Sequence, residues 1–203
     1  MTDRKSEIID AATDLFMQKG FSATSMAAVA SQVGIKKPSL YHHFQSKEDL
    51  FIGCIQAGYL DHIETLEAVE KMKNISAFER LEQMQIAVFD AIIHSTAGRM
   101  SPIIAETTLR FPEIAKMFHA QFIDPMYKVL VKILEDEMAT GTFRKVDVPG
   151  FQQMFFSVPV NLSLSRAMFA SVEEPEVHFD VEHVRQVHLE SMTRLLRNTE
   201  HPI

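Results

Sequence analysis

The segment from Thr24 to Leu50, TSMAAVASQVGIKKPSLYHHFQSKEDL, constrains the fold of this chain more than any other stretch of its sequence. Its apolar spacing predicts a short helix from Met26 to Val33. Gly34 stops that helix, because glycine accepts the left-handed backbone of a C-terminal cap. Pro38 then suits the first turn of a second helix of about two turns, ending at Phe44. Two short helices around a glycine turn predict a helix-turn-helix, whose second helix enters the DNA major groove.

The surface chemistry of the second short helix agrees with that function. Leu40 and Phe44 are four residues apart, so they share one face and are expected to be buried. Lys36 and Lys37 stand at the start of the helix, where their ammonium groups are placed to meet phosphate. Groups able to touch phosphate oxygens or base edges are left for the other faces, namely Ser39, Tyr41, His42 and His43.

The stretch from Ile8 to Leu50 resembles the DNA-binding domain of the tetracycline-repressor (TetR) family of bacterial transcription regulators. The resemblance lies in IIDAATDLFMQKGFSATSM and then VASQVGIKKPSLYHHFQSKEDL, and most of all in L-Y-x-H-F before K-E-x-L. It covers about the first quarter of the chain. It implies an all-α fold, with a three-helix helix-turn-helix DNA-binding domain at residues 1–50 and a larger helical bundle at residues 51–203 for ligand binding and dimerisation.

Roles in binding double-stranded operator DNA follow from the resemblance, residue by residue. Residues at the start of the first short helix would contact phosphate, and those on the second would approach phosphate and bases. A lysine at the start of the next helix would clamp a phosphate. Pro38 departs from the family, which often has glycine there, and Lys36 stands where a Ser or Thr cap is common. The predicted DNA-contacting residues are Thr24, Ser25, Lys36, Lys37, Ser39, Tyr41, His42 and Lys47.

The alternative is that Tyr41, His42 and His43 are ordinary surface residues of a helical bundle, because short helix–glycine–helix units also occur in enzymes. The net charge of −7 is unexpected for a DNA-binding protein. Residues 1–50, however, carry six basic and six acidic side chains, so the acidic surplus lies wholly beyond residue 50. Local charge governs phosphate affinity, and Lys36, Lys37 and Lys47 predict a modest basic patch with a shallow salt dependence.

The remainder of the chain is predicted to be helical. One long helix is expected from Lys47 to about residue 73, and others span about 77–97 and 101–110. Pro125 should kink or divide a helix over 112–139, and Pro159 lies inside one over 149–170. A loop is expected at 171–177 before a last helix at about 181–197. Apolar neighbours predict that Cys54 is a buried structural thiol, with a redox switch as the alternative.

A ligand site is expected in the second domain, where twelve of fifteen Phe and nine of twelve Met lie beyond residue 50. Such residues form ordinary bundle cores, but they also line permissive apolar pockets. The resemblance implies a pocket of this kind for a small apolar or aromatic effector. Ser157 and Asn161 have an alternative role, satisfying carbonyls freed by Pro159. The candidate lining residues are His94, Glu106, Phe122, Tyr127, Met154, Ser157 and Asn161, with Ser163 beside them.

A homodimer is expected through the two C-terminal helices, as in the family, because two-fold symmetry doubles the DNA contacts of a short reading helix. A bound effector would then favour a spacing of the two DNA-binding domains of the dimer, here called the reading heads, that does not fit DNA. Regulation without a ligand is the alternative. Surface or dimer-interface positions, rather than a metal site, are expected for His178, His183 and His188.

Enzymatic function is not expected, because the sequence lacks a Gly-rich phosphate loop, G-x-S-x-G and H-E-x-x-H. No cofactor or metal is predicted. The start of the chain has no apolar signal region, and no apolar run reaches the ~20 residues that a membrane span requires. The sequence therefore predicts a cytoplasmic protein without a membrane partner.

Overall fold

The computed structural model describes residues 4–72, 74–169 and 180–198, and within these ranges every regular element is helical. A first group of helices comprises α1 (Arg4–Ala23), α2 (Met26–Val33), α3 (Lys37–His43) and α4 (Lys47–Ala57). A second group comprises α5 (Leu60–Lys71), α6 (Ala77–Phe89), the π-helical segment π1 (Asp90–His94), α7 (Thr96–Arg99), α8 (Ser101–Thr107), α9 (Pro112–Phe118), the π-helical segment π2 (His119–Ile123), α10 (Asp124–Ala139), α11 (Val148–Met168) and α12 (Val181–Leu196). Of these described helices, none is both long and apolar enough to span a bilayer.

The helix-turn-helix forms as its sequence predicts. The Ser25 hydroxyl caps α2 by accepting from the backbone N–H of Ala28 at 3.2 Å. Gly34 ends α2 with φ 73°, in the left-handed region that glycine adopts without strain. No side chain caps α3 at Lys36, whereas the Ser46 hydroxyl caps α4 by accepting from the Asp49 N–H at 3.0 Å. The turn therefore sets α2 and α3 at a fixed angle, with α4 starting immediately after.

An aromatic core holds α1 against α4. The rings of Phe16 and Phe51 meet edge to face at 4.9 Å, and Phe21 packs on Phe51 at 5.1 Å. Cys54 is buried, as predicted, and its Sγ lies 3.6 Å from the Ile9 carbonyl oxygen. Burial raises the pKa of this thiol to about 12, which keeps it protonated and unreactive. Phe51 and Cys54 lie past residue 50, so α4 packs with the first group along its length.

α1 kinks at Gly20, and one predicted helix is divided. The helical backbone of α1 is interrupted at Gly20 (φ 78°), and Phe21 beyond it is buried in the core. The single helix expected from Lys47 to residue 73 is divided, because α4 ends at Ala57 and α5 begins at Leu60. Gly58 caps α4 where another helix comes close, since a Cβ there would lie only 2.8 Å from the backbone nitrogen of Ala97 in α7.

The second group is a helical bundle interrupted by two π-helical segments. The chain stays helical on both sides of the expected division at Pro125, because π2 ends at Ile123 and α10 begins directly at Asp124. π1 interrupts the helix expected over 77–97. At Gly98 of α7 a Cβ would overlap the Ile92 carbonyl, so only glycine allows α7 to fold back onto π1. α11 runs unbroken through the buried Pro159.

A buried polar contact joins α6 to α12. The fully buried Gln85 donates from Nε2 to the Arg185 carbonyl at 3.0 Å and lies 2.9 Å from Nδ1 of His188. The His188 ring packs between Phe89 and Phe155, at centroid distances of 5.9 and 5.6 Å. The prediction of a surface or dimer-interface His188 is therefore wrong, because this side chain faces its own bundle.

Candidate nucleic-acid interface and ligand cavities

The outer face of α3 carries the candidate DNA contacts. Leu40 and Phe44 are buried, so α3 is fixed against the core by one face and presents the other to solvent. Tyr41 is 43% exposed, and the Lys37 ammonium lies 5.8 Å from the centroid of its ring. The face thus offers ammonium, hydroxyl, phenol and imidazole groups on a helix narrow enough to enter a major groove. The exposed candidates on it are Lys36, Lys37, Ser39, Tyr41 and His42.

Thr24 does not present its hydroxyl to a phosphate. The residue is 2% exposed, and its hydroxyl shares its one proton between the carbonyl oxygens of Leu15 and Gly20, which lie 3.1 and 2.9 Å from Oγ1. The hydroxyl therefore ties the start of α2 to the kinked end of α1. Ser25, the neighbouring candidate, stays exposed while capping α2.

Lys47 also has a structural role. Its Nζ donates to the carbonyls of Phe21 at 2.9 Å and Thr24 at 3.1 Å, and it lies 4.3 Å from the centroid of the Phe21 ring. A third carbonyl, that of Ser22, is 3.5 Å away. The ammonium thus satisfies carbonyl groups at the end of α1, which a helix leaves without partners. The phosphate clamp expected at this position is replaced by a clamp between α4 and α1.

Three of the predicted ligand contacts lie on the outside of α11. Met154 is 45% exposed, and Ser157 and Asn161 are also exposed. The Ser157 hydroxyl donates to the Met154 carbonyl at 3.0 Å, so it bonds within its own helix. The prediction that these side chains face an internal pocket is wrong. The reason is that α11 turns its large aromatic side chains inward instead, namely Phe151, Phe155 and Phe156.

The aromatic candidates belong to the bundle core. Phe122 stacks on Phe118 at 4.8 Å, and Tyr127 packs on Phe156 at 4.6 Å. Phe122 is buried, and its ring also meets Tyr59 at 5.8 Å. The Tyr59 hydroxyl donates to Gln121 at 2.6 Å, which joins the end of α4 to π2. Glu106 is exposed on α8, away from these rings.

Two cavities of about 580 Å³ each lie where the first group of helices meets the second. One is lined by α1, α4 and α7, including Asp10, Asp14 and Cys54. The other contains the predicted His94 and Ser163 together with Pro102. Met17 and Arg99 line both. Sequence reasoning missed Met17, Arg99 and Arg166, and no local signal marks them, because they converge from α1, α7 and α11.

The outward face of α12 is largely polar. Met192, Leu196 and the imidazole of His188 are buried against the bundle, and only Val187 is a large exposed apolar side chain on this helix. Within residues 4–72, 74–169 and 180–198, no three His, Cys, Asp or Glu side chains cluster to hold a metal ion. His178 and the loop expected at 171–177 lie outside the described residues.

The comparisons with known proteins agree with this geometry. Residues 8–54 match the family described as bacterial regulatory proteins, tetR family. A transcriptional repressor from Mycobacterium tuberculosis (strain CDC 1551 / Oshkosh), KstR2, is 33% identical over 99 residues, which is 48% of this chain and 48% of the relative. The chain thus spans about half the length of the curated relatives it matches first.

Solved structures match over nearly the whole chain. The regulator FadR from Bacillus subtilis, in complex with stearoyl-CoA, superposes with a TM-score of 0.74 at 20% identity, over 95% of this chain and 99% of that one. The flavonoid-responsive regulator FrrA gives a TM-score of 0.65 at 27% identity, over 97% and 98%. The all-α fold of a helix-turn-helix head on a larger helical bundle is therefore shared with these regulators.

Proposed function

We propose that this chain, which belongs to the tetR family of bacterial regulatory proteins, is a homodimeric transcription repressor whose affinity for operator DNA is changed by a small molecule. The observation that carries the proposal is the exposed face of α3, held rigidly by Leu40 and Phe44. The family consists of transcription regulators, not enzymes, in agreement with the expectation from the sequence.

DNA contact is assigned to the residues that α3 exposes. Lys36 and Lys37 meet phosphate at the start of the helix, and Ser39, Tyr41 and His42 reach phosphate or base edges in the major groove. Ser25 adds a hydroxyl beside the N-terminus of α2, where free N–H groups favour a phosphate. Thr24 and Lys47 are assigned a supporting role, because their polar atoms are bound to the end of α1. The reading head ends near Gly58, after α4.

Dimerisation is assigned chiefly to α11. Five of its exposed residues follow a spacing of three and four, which places them on one stripe. The stripe consists of Met154, Ser157, Asn161, Leu164 and Met168. Apolar side chains exposed on a helix in this way are typical of an interface. α12 contributes Val187 and polar groups, because its apolar face is already packed inside the bundle.

An effector acts by favouring one orientation of the reading heads over another. It changes DNA affinity only by as much as its own affinity differs between the two orientations. α4 is the element that transmits such a change, because its end at Gly58 lies against the backbone of α7 in the bundle. FadR forms a complex with stearoyl-CoA and FrrA responds to flavonoids, which supports a small-molecule effector here.

Selection of bound duplexes from a random DNA pool tests the proposal without knowledge of the operator. The full-length protein should enrich a two-fold-symmetric sequence with half-sites about one helical turn, ~34–36 Å, apart. Tyr41→Ala should weaken the enrichment, while Lys71→Ala, which removes an exposed charge from α5, should leave it unchanged. Failure of the unmodified chain to enrich any sequence would contradict the DNA-binding function.

A further inference from the structure

The two cavities at the junction of the helix groups form one groove. Both are lined by Met17 of α1 and Arg99 of α7, so the two cavities adjoin at these two side chains. Each has a volume of about 580 Å³, within the range of roughly 300–1,000 Å³ in which small-molecule sites fall. The groove therefore has room for a ligand longer than either cavity alone.

The two ends of the groove differ in charge. Asp10 and Asp14 of α1 line one end. Arg166 and His94 line the other, with Arg99 between the two ends. In the described part of the chain, no ion pair or side-chain hydrogen bond involves Arg99. An anionic group in the groove would be repelled by the acidic end and attracted by the Arg99 guanidinium.

The basic end also offers a hydroxyl and apolar surface. The Ser163 hydroxyl, which donates to the Ile92 carbonyl over a long 3.4 Å, lies beside Arg166 in the cavity lining. Ile93, Pro102 and Ala167 supply apolar surface there, and the Met17 thioether covers the groove from the side of α1. Guanidinium groups bind carboxylate and phosphate oxygens in a fixed planar geometry. This combination suits an anionic head joined to an apolar stem.

We propose that this groove binds an anionic amphiphile, with its carboxylate or phosphate on Arg99 and its apolar stem beneath Met17. The site differs from the internal pocket expected from the sequence, because only His94 and Ser163 of the eight expected residues line it. It rests on the proposed function in one respect, namely that the ligand is the effector. A ligand here contacts α1 of the reading head and α7 and α11 of the bundle at once, so its affinity depends on their relative position.

The chemical probes are octanoate, octyl phosphate and the neutral octanamide, titrated calorimetrically into the full-length protein. We expect one or both anions to bind with a dissociation constant below about 1 mM, and octanamide to bind at least about tenfold more weakly. Preference between the two anions distinguishes a carboxylate head from a phosphate head. Equal binding of octanamide, or no binding of either anion, would overturn the proposal.

Variants locate the site. Arg99→Gln should weaken anion binding about tenfold or more, and Arg99→Lys should restore part of the loss because it keeps the charge. Arg110→Gln is the matched control, since it removes an exposed arginine that lines none of the described cavities. Undiminished binding by Arg99→Gln would place the anion elsewhere and overturn the assignment.

Operator binding, measured separately without any probe, keeps this inference distinct from the proposed function. If the chain binds its operator and no anion binds through Arg99, the regulator stands and the groove assignment fails. If anions bind through Arg99 but the chain selects no DNA, the site stands and its role as an effector site fails.

Discussion

The exposed faces of α3 and α11 make an instructive pair. Both helices bury aromatic or aliphatic side chains on one side and leave the opposite side to solvent. The exposed side of α3 carries lysines, histidines and Tyr41, whereas that of α11 carries Met154, Leu164 and Met168 around Asn161. The first suits a hydrated polyanion, and the second suits another apolar surface.

The difference shows that solvent exposure alone does not identify a partner. A lysine-rich face keeps its hydration until phosphates replace counterions, so its affinity depends on salt. An apolar face is stabilised by being removed from water, so its affinity depends on the area that a partner buries. A substitution on either face should therefore change one association directly, and the other only through the dimer.

The largest expected effect is on the α11 face. Leu164→Glu combined with Met168→Glu places charges on an exposed apolar stripe, so the fold should be retained while the proposed dimer should dissociate. Because binding through two linked heads exceeds that of one head by factors of 10²–10⁴, operator affinity should fall by roughly 100-fold or more. Light scattering and fluorescence anisotropy measure the two effects.

Leu109→Glu is the matched control for this pair, because Leu109 is 94% exposed but lies at the end of α8 and not on the stripe. It should remain dimeric and bind DNA normally. A double variant of α11 that stays dimeric would show that the stripe is not the interface.

Substitutions on the α3 face should have the next largest effect. Tyr41→Ala and Lys37→Ala should each lower operator affinity by roughly tenfold, in line with ~1–3 kcal/mol per direct contact. Lys37→Ala should also reduce the salt slope of binding by about one, because it removes a phosphate contact. Both variants should remain dimeric in light scattering. A slope unchanged by Lys37→Ala would exclude that lysine from the phosphate contacts.

A third substitution distinguishes residues of the reading head that contact DNA from residues that stabilise its fold. Lys47→Met removes an ammonium that is bound to the carbonyls of Phe21 and Thr24. The free energy of unfolding should fall by about 1–2 kcal/mol, because each of these carbonyls loses a charged partner. Thermal unfolding should show a lower Tm for Lys47→Met and an unchanged Tm for Tyr41→Ala. Equal Tm values for the two variants would contradict the structural role of Lys47. A phosphate contact would then remain its predicted role.

The smallest effect concerns the pH dependence of the bundle. Burial lowers the pKa of His188 below its ordinary value of 6.5, only partly offset by the Met154 carbonyl. The unfolded chain therefore takes up a proton on this ring near pH 6.5, whereas the folded chain does so only at lower pH. The free energy of unfolding should fall as the pH drops below about 6.5, since the unfolded state binds more protons.

Denaturant unfolding at several pH values measures this dependence. In His188→Leu, the free energy of unfolding should depend less on pH between pH 6.5 and the lower pKa of His188 in the folded chain. His183→Leu, which replaces an exposed histidine on the same helix, should leave the pH dependence unchanged. An identical slope in His188→Leu would show that the dependence comes from other groups.

Prediction from sequence was most accurate for α2 and α3. The local pattern predicts the backbone conformation and the burial in these helices, because each effect acts over only a few residues. The residues concerned are Gly34, Pro38, Leu40 and Phe44. Prediction was least accurate for α11. That helix has apolar residues on both sides, and periodicity identifies which residues share a face without telling which face is inside.

The predicted helix over 47–73 was wrong, and the intramolecular contacts of Thr24 and Lys47 were not predicted, for a related reason. Each depends on a contact with a distant part of the chain. Gly58 lies against Ala97 of α7, Thr24 donates to Leu15, and Lys47 donates to Phe21. Sequence spacing does not record which carbonyl is left without a partner nearby.

The sequence by itself determined the all-helical class, the helix-turn-helix and the buried and exposed faces of α3, because capping, glycine conformation and four-residue spacing are local. Only the tertiary structure decided that Thr24 and Lys47 serve the end of α1, that Met154, Ser157 and Asn161 face outward, and that Met17 and Arg99 meet in one groove. These arrangements depend on how whole helices pack, which sums many weak contacts between residues far apart in the chain.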